Sequence, residues 1–334
     1  MSTSVGIQRQ NRASPTPPPP PPPEGGVLLS IVVPCYNEAE NIPLFYAKSC
    51  EVLKVLEGQG VSVEFVFIDD GSKDETAKVI QELSEKDERI RYAIFSRNFG
   101  KEAAMLAGLQ AAKGDFTAML DADLQHPPSL LPAMLEAVKN GEYDCAGTIR
   151  TRTGDSKIRT FFSRAFYRLI SKLSNMEIID GAGDFRLMSR QYVDAILSLS
   201  ERNRFSKGIF QWIGFRTKWF YYENQQRASG DSKWSFWKLF IYSLDGIIAF
   251  SSKLLAIASA IGIILFILSI CAVIFIVVRK LIFGDPIQGW ASTICVILFC
   301  AGVQLLTTGV LGEYLAKTYN EVKRRPHFVI RKQK

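Results

Sequence analysis

Two long uncharged stretches near the C-terminus constrain this 334-residue chain more than any other feature of its sequence. The first runs from Leu254 to Val278, and the second runs from Ile287 to Gly312. About 20 consecutive apolar residues span the hydrocarbon core of a bilayer, so each stretch is long enough to cross a membrane with some tilt. A pair of buried core helices would need a much larger soluble fold around it. The sequence therefore predicts a two-helix transmembrane hairpin over residues 254–315.

The distribution of lysine and arginine around this hairpin predicts its orientation. The connection between the two stretches carries only Arg279 and Lys280, whereas the tail over residues 316–334 carries seven lysines and arginines. Basic residues concentrate on the cytoplasmic side of membrane proteins. We therefore expect an integral protein of the cell membrane (the plasma or inner membrane), with the basic tail, the N-terminal domain and both termini in the cytoplasm. The formal net charge of +7 fits work against an anionic lipid surface. We expect no nucleic-acid partner.

The rest of the chain divides into segments of distinct composition. Residues 1–26 contain a proline run with almost nothing to bury, which predicts a disordered tail, with a site for a proline-binding partner as the alternative. Residues 27–232 have the composition of a folded domain. Within it, residues 156–173 form an amphipathic basic helix that lies either in the membrane interface or against the domain surface. Residues 233–253 carry aromatic side chains suited to a second interfacial segment.

Strand-like and helical patterns alternate from residue 28 to residue 147. This alternation predicts an α/β domain with a mostly parallel sheet and helices on both faces. Ligands of such sheets bind beyond the carboxyl ends of the strands. Polar residues follow the predicted strands at those ends: Asn37 and Glu38, Asp69 and Asp70, Ser96 to Asn98, and Asp121 with Asp123. In one of these turns, Ser72 and Glu75 have the spacing of a helix-capping box.

A dinucleotide-binding site is the first alternative for any such sheet. It requires the first strand to open into a glycine-rich turn, G-x-G-x-x-G. The first strand here opens into "PCYNEAENIP", which contains no glycine. The sequence therefore argues against NAD or FAD as a ligand.

Asp121 and Asp123 are the residues in this sequence that most directly indicate chemistry. On an extended backbone, side chains two residues apart project to the same side, and two neighbouring carboxylates repel unless a cation or a shared proton intervenes. A Mg²⁺ or Mn²⁺ site shared with substrate phosphates would explain the pair. An acid–base pair for glycoside hydrolysis, a phosphoryl-transfer site, although no Walker-type loop accompanies it, and a solvated turn are the alternatives.

Seven motifs in order along the chain carry a family resemblance. They lie between Ile31 and Trp234 and read "IVVPCYNEAENI", "FIDDGSKDET", "SRNFGKEAAMLAGL", "LDADLQHPP", "GAGDFRLMSR", "RFSKGIFQWIGF" and "RASGDSKW". Together they resemble the family-2 glycosyltransferases of GT-A fold that act on polyprenyl phosphates, the group of dolichol-phosphate mannose synthase and bactoprenol glucosyltransferase. The two C-terminal stretches are more similar to the bacterial glucosyltransferase branch.

The resemblance implies a set of donor-binding residues. Asp121, Asp123 and Gln125 would line the site of a divalent cation, Mg²⁺ or Mn²⁺, that bridges the diphosphate of a nucleotide sugar. The residues implied around the nucleotide and the donor sugar are Asp69, Asp70, Pro34, Tyr36, Glu38, Arg97, Asn98 and Lys101. Ordinary surface charge is the alternative for Arg97 and Lys101.

The acceptor implied by the resemblance is a polyprenyl phosphate, which is close to a dianion at pH 7 and already nucleophilic. Its recognition calls for Arg or Lys rather than a strong base. Arg204 is the leading candidate for the acceptor phosphate. The further candidates are Arg202, Lys207, Arg150, Arg152 and Lys233. Asp184, in "GAGDFRL", resembles a carboxylate near the line of attack, where it would orient groups rather than remove a proton.

The absence of one string narrows the expected reaction. Processive polymer synthases of the superfamily carry Q-x-x-R-W, which does not occur in this sequence. We therefore expect inverting transfer of a single sugar, glucose from UDP-glucose to undecaprenyl phosphate, with GDP-mannose or a UDP-amino-sugar as alternative donors. A non-catalytic membrane scaffold or a component of a lipid-sugar flippase is the alternative of a different class. A homotetramer is implied by the resemblance alone.

Overall fold

The computed structural model describes residues 26–151, 179, 181–223, 253–283 and 289–334. Its strands are β1 Val27–Cys35, β2 Val61–Asp69, β3 Ile90–Phe95, β4 Phe116–Met119, β5 Cys145–Thr151, β6 Ala182–Ser189, β7 Thr217–Glu223 and β8 Ile330–Gln333. Its helices are α1 Asn41–Glu57, α2 Thr76–Lys86, α3 Lys101–Ala111, α4 Leu131–Lys139, α5 Arg190–Ser198, α6 Ser206–Trp212, α7 Lys253–Phe283 and α8 Trp290–Lys323, with a short 3₁₀ turn at Pro128–Leu130.

The eight described strands form one mixed sheet in the order β7-β5-β6-β4-β1-β2-β3-β8. Strands β1 to β4 run parallel to one another, and β5 and β7 run in the same direction. Strands β6 and β8 run the opposite way. The predicted mostly parallel sheet is confirmed, and β6, β7 and β8 are additions that the sequence patterns did not predict.

Helices cover both faces of this sheet. Along β1, Ile31 and Val33 point into a core shared with α1, α2 and α4, whereas Val32 points to the opposite face and packs against α3. A strand buried on both faces reads as a continuous apolar run, which is how "IVV" in β1 reads. At Gly108 in α3, an added Cβ would lie 2.1 Å from Val32 Cγ1, so the helix approaches the sheet more closely than alanine would allow. The predicted α/β fold class is confirmed.

Helices α7 and α8 contain the two apolar stretches, and both are long and apolar enough to cross a membrane. Large side chains along them, including Ile263, Phe266 and Phe299, are more than half exposed, so the catalytic domain does not cover them. Helix α8 has 34 residues and is about 51 Å long at 1.5 Å per residue. That length exceeds the roughly 30 Å hydrocarbon core, so part of α8 extends beyond it.

The C-terminal segment, expected only to be a basic tail, returns to the sheet as β8. It pairs antiparallel with β3, with Ala93 opposite Gln333 and Phe95 opposite Ile330. Just before β8, the Phe328 ring stacks on the Phe95 ring at a centroid distance of 4.9 Å. The chain therefore completes the edge of its N-terminal domain with its last residues.

Several predicted features lie outside the described residues. They are the proline-rich tail up to residue 25, the amphipathic helix 156–173, the interfacial segment up to residue 252, and the side chains of Arg152 and Lys233. These features stay predictions.

Candidate active site

The carboxyl ends of the parallel strands converge on one edge of the sheet, where the polar residues predicted from sequence lie. Asp69 ends β2 and Asp70 follows it, and Asp121 lies two residues beyond the end of β4. Strand β6 runs antiparallel to β4, so its beginning, with Asp184, lies at the same edge. Residues that are far apart in sequence thus form one acidic cluster.

Lys101, the first residue of α3, lies between two of these carboxylates. Its Nζ donates to Asp121 Oδ2 at 2.9 Å and to Asp184 Oδ2 at 2.7 Å. The Lys101 side chain is 45% exposed, whereas those of Asp121 and Asp184 are 25% and 22% exposed. Within the protein, Lys101 thus links carboxylates that come from two separate strands, and the pair that it joins is Asp121 with Asp184 rather than Asp121 with Asp123.

The electrostatics of this bridge keep all three groups charged. Burial raises the pKa of Asp121 and of Asp184, but the Lys101 ammonium, together with His126 at Asp121 and Lys207 at Asp184, outweighs it and lowers both values below the usual range. Burial acts to lower the pKa of Lys101, and the two carboxylates raise it well above its ordinary value. Asp184 is therefore an ionised carboxylate at neutral pH, which accepts hydrogen bonds and has no proton to donate.

A histidine and a tyrosine that were not predicted as site residues support Asp121. His126 Nε2 lies 3.5 Å from Asp121 Oδ2, and His126 Nδ1 shares a hydrogen bond of 2.8 Å with the Tyr222 hydroxyl. Burial, together with the nearby carboxylates, raises the pKa of Tyr222 to about 12, so this hydroxyl stays protonated at neutral pH. His126 stands in the motif "LDADLQHPP", but nothing in the sequence pointed to Tyr222 on β7.

Asp123 and Gln125 belong to a tight turn after β4. Asp123 is 9% exposed, and its Oδ1 accepts the backbone N–H of Gln125 at 3.1 Å. Leu124 between them has a φ of 58°, in the left-handed region. The turn therefore fixes Asp123 and Gln125 just beyond Asp121 at the end of the strand.

The donor set fits a hard divalent cation only if a ligand completes it. Among the residues that the structure describes, no group of three or more His, Cys, Asp or Glu side chains stands ready to hold a metal. Mg²⁺ and Mn²⁺ prefer oxygen donors, and Mg²⁺ is commonly held by one or two carboxylates together with substrate phosphates. Asp121 and Asp123 provide such a partial set.

Asp69 and Asp70 hold the loops that surround the candidate nucleotide pocket. Asp70 Oδ1 accepts the N–H of Phe99 at 2.6 Å, and Asp70 Oδ2 accepts that of Gly100 at 2.9 Å. Asp69 Oδ1 accepts the N–H of Ser72 at 3.1 Å. Burial raises the pKa of both carboxyls, although these hydrogen bonds act against it. Through these hydrogen bonds, Asp69 fixes the loop after β2 and Asp70 fixes the loop after β3.

The capping box expected for α2 is wrong. The helix begins at Thr76, and Ser72 Oγ accepts the N–H of Asn37 at 2.9 Å instead of capping the helix. Asn37 in turn accepts the N–H of Lys73 through its Oδ1 at 2.9 Å. The serine joins the loops after β1 and β2, and this long-range contact outweighs the local capping pattern.

Close backbone approach brings the β2 and β3 loops together at Gly71. Its φ is 65°, and an added Cβ would lie 2.3 Å from the carbonyl carbon of Arg97. The Arg97 guanidinium stacks over the Phe99 ring at 4.1 Å and donates to Asn98 O at 3.0 Å. Of the remaining predicted donor residues, Pro34 is buried in β1, and Tyr36 and Glu38 follow that strand at the same edge.

The basic segment, which contains Arg202, Arg204 and Lys207 and is predicted to bind the acceptor phosphate, lies beside the acidic cluster. Arg204 donates to Leu199 O at 2.8 Å and to Ile196 O at 3.4 Å, at the end of α5. Burial lowers its pKa, against the effect of Glu201 and Glu102. Lys207 lies close enough to Asp184 to help lower the pKa of that carboxyl. Arg150 lies close enough to Tyr222 to act on the pKa of that hydroxyl. Both basic side chains, Lys207 and Arg150, are therefore near the acidic cluster.

Glu102 was not predicted as a site residue, and it connects the acidic cluster to the basic segment. It follows Lys101 in α3, and its carboxylate accepts both the N–H and the hydroxyl of Ser206, the first residue of α6. Burial raises the pKa of Glu102 in spite of these bonds. The helix that carries Lys101 is therefore fastened to the helix that carries Lys207.

The mixed sheet, with acidic groups at its strand ends and a basic segment beside them, defines an α/β enzyme of the GT-A glycosyltransferase class. The chain belongs to the family "Glycosyl transferase family 2", which matches residues 30–197.

Relatives of this chain resemble it over most of its length. The Bacillus subtilis protein CsbB is 44% identical over 304 residues, 91% of each chain. The bactoprenol glucosyl transferase of Shigella phage SfII is 40% identical over 304 residues, 91% of this chain and 97% of the phage protein. One solved structure, glucosyl-3-phosphoglycerate synthase of Mycobacterium tuberculosis, aligns with a TM-score of 0.44 at 19% identity over 67% of this chain and 79% of that one, too remote to inform the site. The predicted family and the glycosyltransferase activity are confirmed.

Proposed function

We propose that this glycosyltransferase transfers a single sugar from a nucleotide sugar to a polyprenyl phosphate at the cytoplasmic face of a membrane. The observation that carries the proposal is that α3 joins the acidic part and the basic part of the candidate site. Lys101 bridges Asp121 and Asp184, and its neighbour Glu102 holds the segment with Arg204 and Lys207. Two anionic substrates that react with each other need such an arrangement, because each phosphate requires its own positive partner.

The choice of substrates draws on the relatives. The proteins of Shigella phages SfII and SfV, each 40% identical to this chain, are named bactoprenol glucosyl transferases. These names support glucose as the sugar and a bactoprenol-type lipid phosphate as the acceptor. UDP-glucose and undecaprenyl phosphate are accordingly our leading pair.

On the donor side, we assign Asp121, Asp123 and Gln125 to a Mg²⁺ or Mn²⁺ ion. When bound, such an ion neutralises charge that builds on the departing nucleotide diphosphate. The loops that Asp69 and Asp70 fix would form the walls of the nucleotide pocket. Lys101 would keep the carboxylates of Asp121 and Asp184 apart at a defined spacing while the donor enters.

On the acceptor side, the lipid phosphate needs orientation more than activation. One of its oxygens forms a bond to the anomeric carbon of the sugar while the bond from that carbon to the diphosphate breaks, so the anomeric configuration inverts. No proton has to be removed, because the phosphate is already ionised near pH 7. Arg202, Arg204 and Lys207 would hold the attacking phosphate, and holding two reactants in line supplies a large part of the acceleration of such a reaction.

We also propose that α7 and α8 anchor the enzyme as two membrane spans. Both helices meet the length and composition for crossing a bilayer. The lipid chain of a polyprenyl phosphate stays in the bilayer, so a site that acts on its phosphate has to lie at the membrane surface. An anchored domain meets this requirement.

A transfer assay tests the proposed function. The purified full-length protein in lipid vesicles is given radiolabelled UDP-glucose, undecaprenyl phosphate and Mg²⁺ or Mn²⁺. We expect label to move into the organic phase with the metal and to stay in the aqueous phase with EDTA. Asp123→Asn should abolish transfer, whereas Asp194→Asn, which removes an exposed carboxylate paired with Arg190 on the surface, should leave it unchanged.

Varying the donor in the same assay identifies the sugar and tests the function as a whole. Replacing UDP-glucose with GDP-mannose or a UDP-amino-sugar identifies the donor. Failure of every nucleotide sugar to label the lipid would overturn the proposed function and would favour a scaffold or flippase component instead.

A further inference from the structure

The C-terminal end of α8 contacts the basic segment that we assign to the acceptor. Glu321 Oε1 accepts the backbone N–H of Arg202 at 2.7 Å and that of Asn203 at 3.2 Å. One turn earlier on α8, Lys317 Nζ donates to Asn203 Oδ1 at 3.3 Å. The residues joined by the Glu321 contact are 119 positions apart in sequence, so no local pattern predicts it.

The position of Glu321 on α8 connects this contact to the membrane. The uncharged part of α8 ends at Gly312, and Glu321 follows nine residues later in the same helix. At 1.5 Å per residue, the helix carries this carboxylate about 13 Å beyond its apolar part. A rigid helix thus links the bilayer to the backbone of the segment.

The same segment is held at two other places, both within the catalytic domain. Arg204 donates to the carbonyls at the end of α5, and Ser206 binds Glu102 of α3. The tail after α8 also faces the segment, because Arg204 and Arg202 contribute, after burial, to a lowered pKa of His327. Of these contacts, the Glu321 bonds join the segment to the membrane-spanning helix.

We propose that Glu321 is a positioning residue that fixes the backbone of Arg202 and Asn203 to the end of α8, so that the acceptor segment stands at a set height above the membrane. This inference rests on the proposed function, since it takes Arg202 and Arg204 as partners of the lipid phosphate. Glu321 itself touches neither substrate. It acts through two backbone N–H groups that point toward its carboxylate.

The proposal assigns a specific role to the oxygen atom of this side chain rather than to its charge. Two N–H groups share one acceptor oxygen, and both a carboxylate and a carboxamide provide such an oxygen. Glutamine keeps a carbonyl oxygen at the same distance from the backbone, whereas alanine leaves both N–H groups without it. The Glu321→Ala variant therefore loses both hydrogen bonds, whereas the Glu321→Gln variant loses only the negative charge.

Steady-state kinetics of the full-length enzyme in vesicles test the inference. We expect Glu321→Ala to raise the KM for undecaprenyl phosphate about tenfold, while the KM for UDP-glucose changes less than about twofold. Glu321→Gln should stay within about threefold of the wild type for both substrates. Glu313→Ala removes an exposed carboxylate two turns earlier on α8, with no contact to the segment among the described residues, and should behave as the wild type.

Hydrogen exchange gives a second measurement that does not depend on activity. The amides of Arg202 and Asn203 should exchange faster in Glu321→Ala than in the wild type, and at the wild-type rate in Glu321→Gln and Glu313→Ala. An unchanged melting temperature of the catalytic domain establishes that Glu321→Ala is folded. If Glu321→Ala does not fold, Glu321→Asp, whose carboxylate is one methylene group further from both N–H groups, takes its place and should raise the KM for the lipid alone.

The possible failures are distinguishable. A wild-type enzyme that transfers no sugar to the lipid overturns the proposed function. An active wild type whose Glu321→Ala variant keeps a normal lipid KM, or raises both KM values equally, overturns the positioning role alone.

Discussion

At the scale of single residues, Lys101 explains how this edge of the sheet tolerates its carboxylates. Asp121 and Asp184 come from strands that are neighbours in space but far apart in sequence, and one ammonium contacts both. A carboxylate pair of this kind repels itself unless a positive group lies between its members. The lysine therefore sets the spacing of the two groups before any substrate arrives.

Replacing Lys101 tests this role directly. We expect Lys101→Met, which keeps the length of the side chain but removes its charge, to lower kcat/KM for sugar transfer at least about 100-fold, because the two carboxylates lose their common partner. Lys78→Met is the matched control, since Lys78 is 69% exposed and forms its ion pair with the equally exposed Glu75, away from the candidate site. Equal activity of the two variants in the vesicle assay would contradict the role given to Lys101.

Most residues of the candidate site were predicted from sequence, but their mutual contacts were not. The strand-end pattern placed Asp69, Asp121 and Asp123 at one edge, and the family resemblance added Lys101 and Asp184. Nothing local joins these positions, because their contacts depend on how β6 and α3 pack against β4. For the same reason His126, Tyr222 and Glu102 were missed as site residues.

At the scale of secondary structure, the prediction succeeded where the periodicity of apolar residues was clear. Strands β1 to β5 alternate with helices α1 to α4 over residues 27–151, which agrees within a few residues with the alternation predicted for residues 28–147. Strand β6 was missed because both of its faces are buried, with Phe185 and Leu187 on one side and Arg186 and Met188 on the other, so it shows no alternation of apolar and polar residues. Strand β8 was missed because it is four exposed, mostly polar residues that gain their structure from β3.

The stacked rings at this edge provide a test of β8. Phe328→Ala should lower the free energy of unfolding by about 1–2 kcal/mol, since it removes a partly buried ring that packs on Phe95. Thermal unfolding followed by circular dichroism measures this as a drop of a few degrees. Val329→Ala, at a side chain that is 47% exposed, should cost less than about 0.5 kcal/mol. A loss of the same size in both variants would mean that the stacked ring contributes nothing specific.

At the scale of the whole molecule, the pairing of β8 with β3 constrains the membrane topology. The strand after the second apolar helix belongs to the same sheet as the strands before the first, so, with α7 and α8 as the two proposed membrane spans, the domain and the tail would lie on one side of the membrane. This is the arrangement that the distribution of basic residues predicted. The two lines of reasoning are independent, since one uses charge and the other uses hydrogen bonding.

Labelling with a membrane-impermeant maleimide tests this topology. In a cysteine-free background, Lys78→Cys in the domain and Gln333→Cys in the tail should react from the same face of sealed vesicles. Asp285→Cys, in the connection between the two helices, should react only from the opposite face. Reaction of the domain and tail cysteines from opposite faces would contradict the paired strands, and reaction of all three from one face would contradict the two spans.

The pairing of β8 with β3 also determines when the sheet can be completed during synthesis. Lys332 contacts Gln81 across 251 positions, so β8 joins a sheet whose other described strands left the ribosome long before it. Domains fold from the N-terminus during synthesis, and until β8 arrives β3 remains an open edge able to pair with other chains. Both apolar helices precede β8 in the chain and leave the ribosome before it. Completion of the enzyme's sheet thus comes after the membrane segments have been synthesised, and a chain cut short after α8 would carry its anchor but leave the β3 edge unpaired.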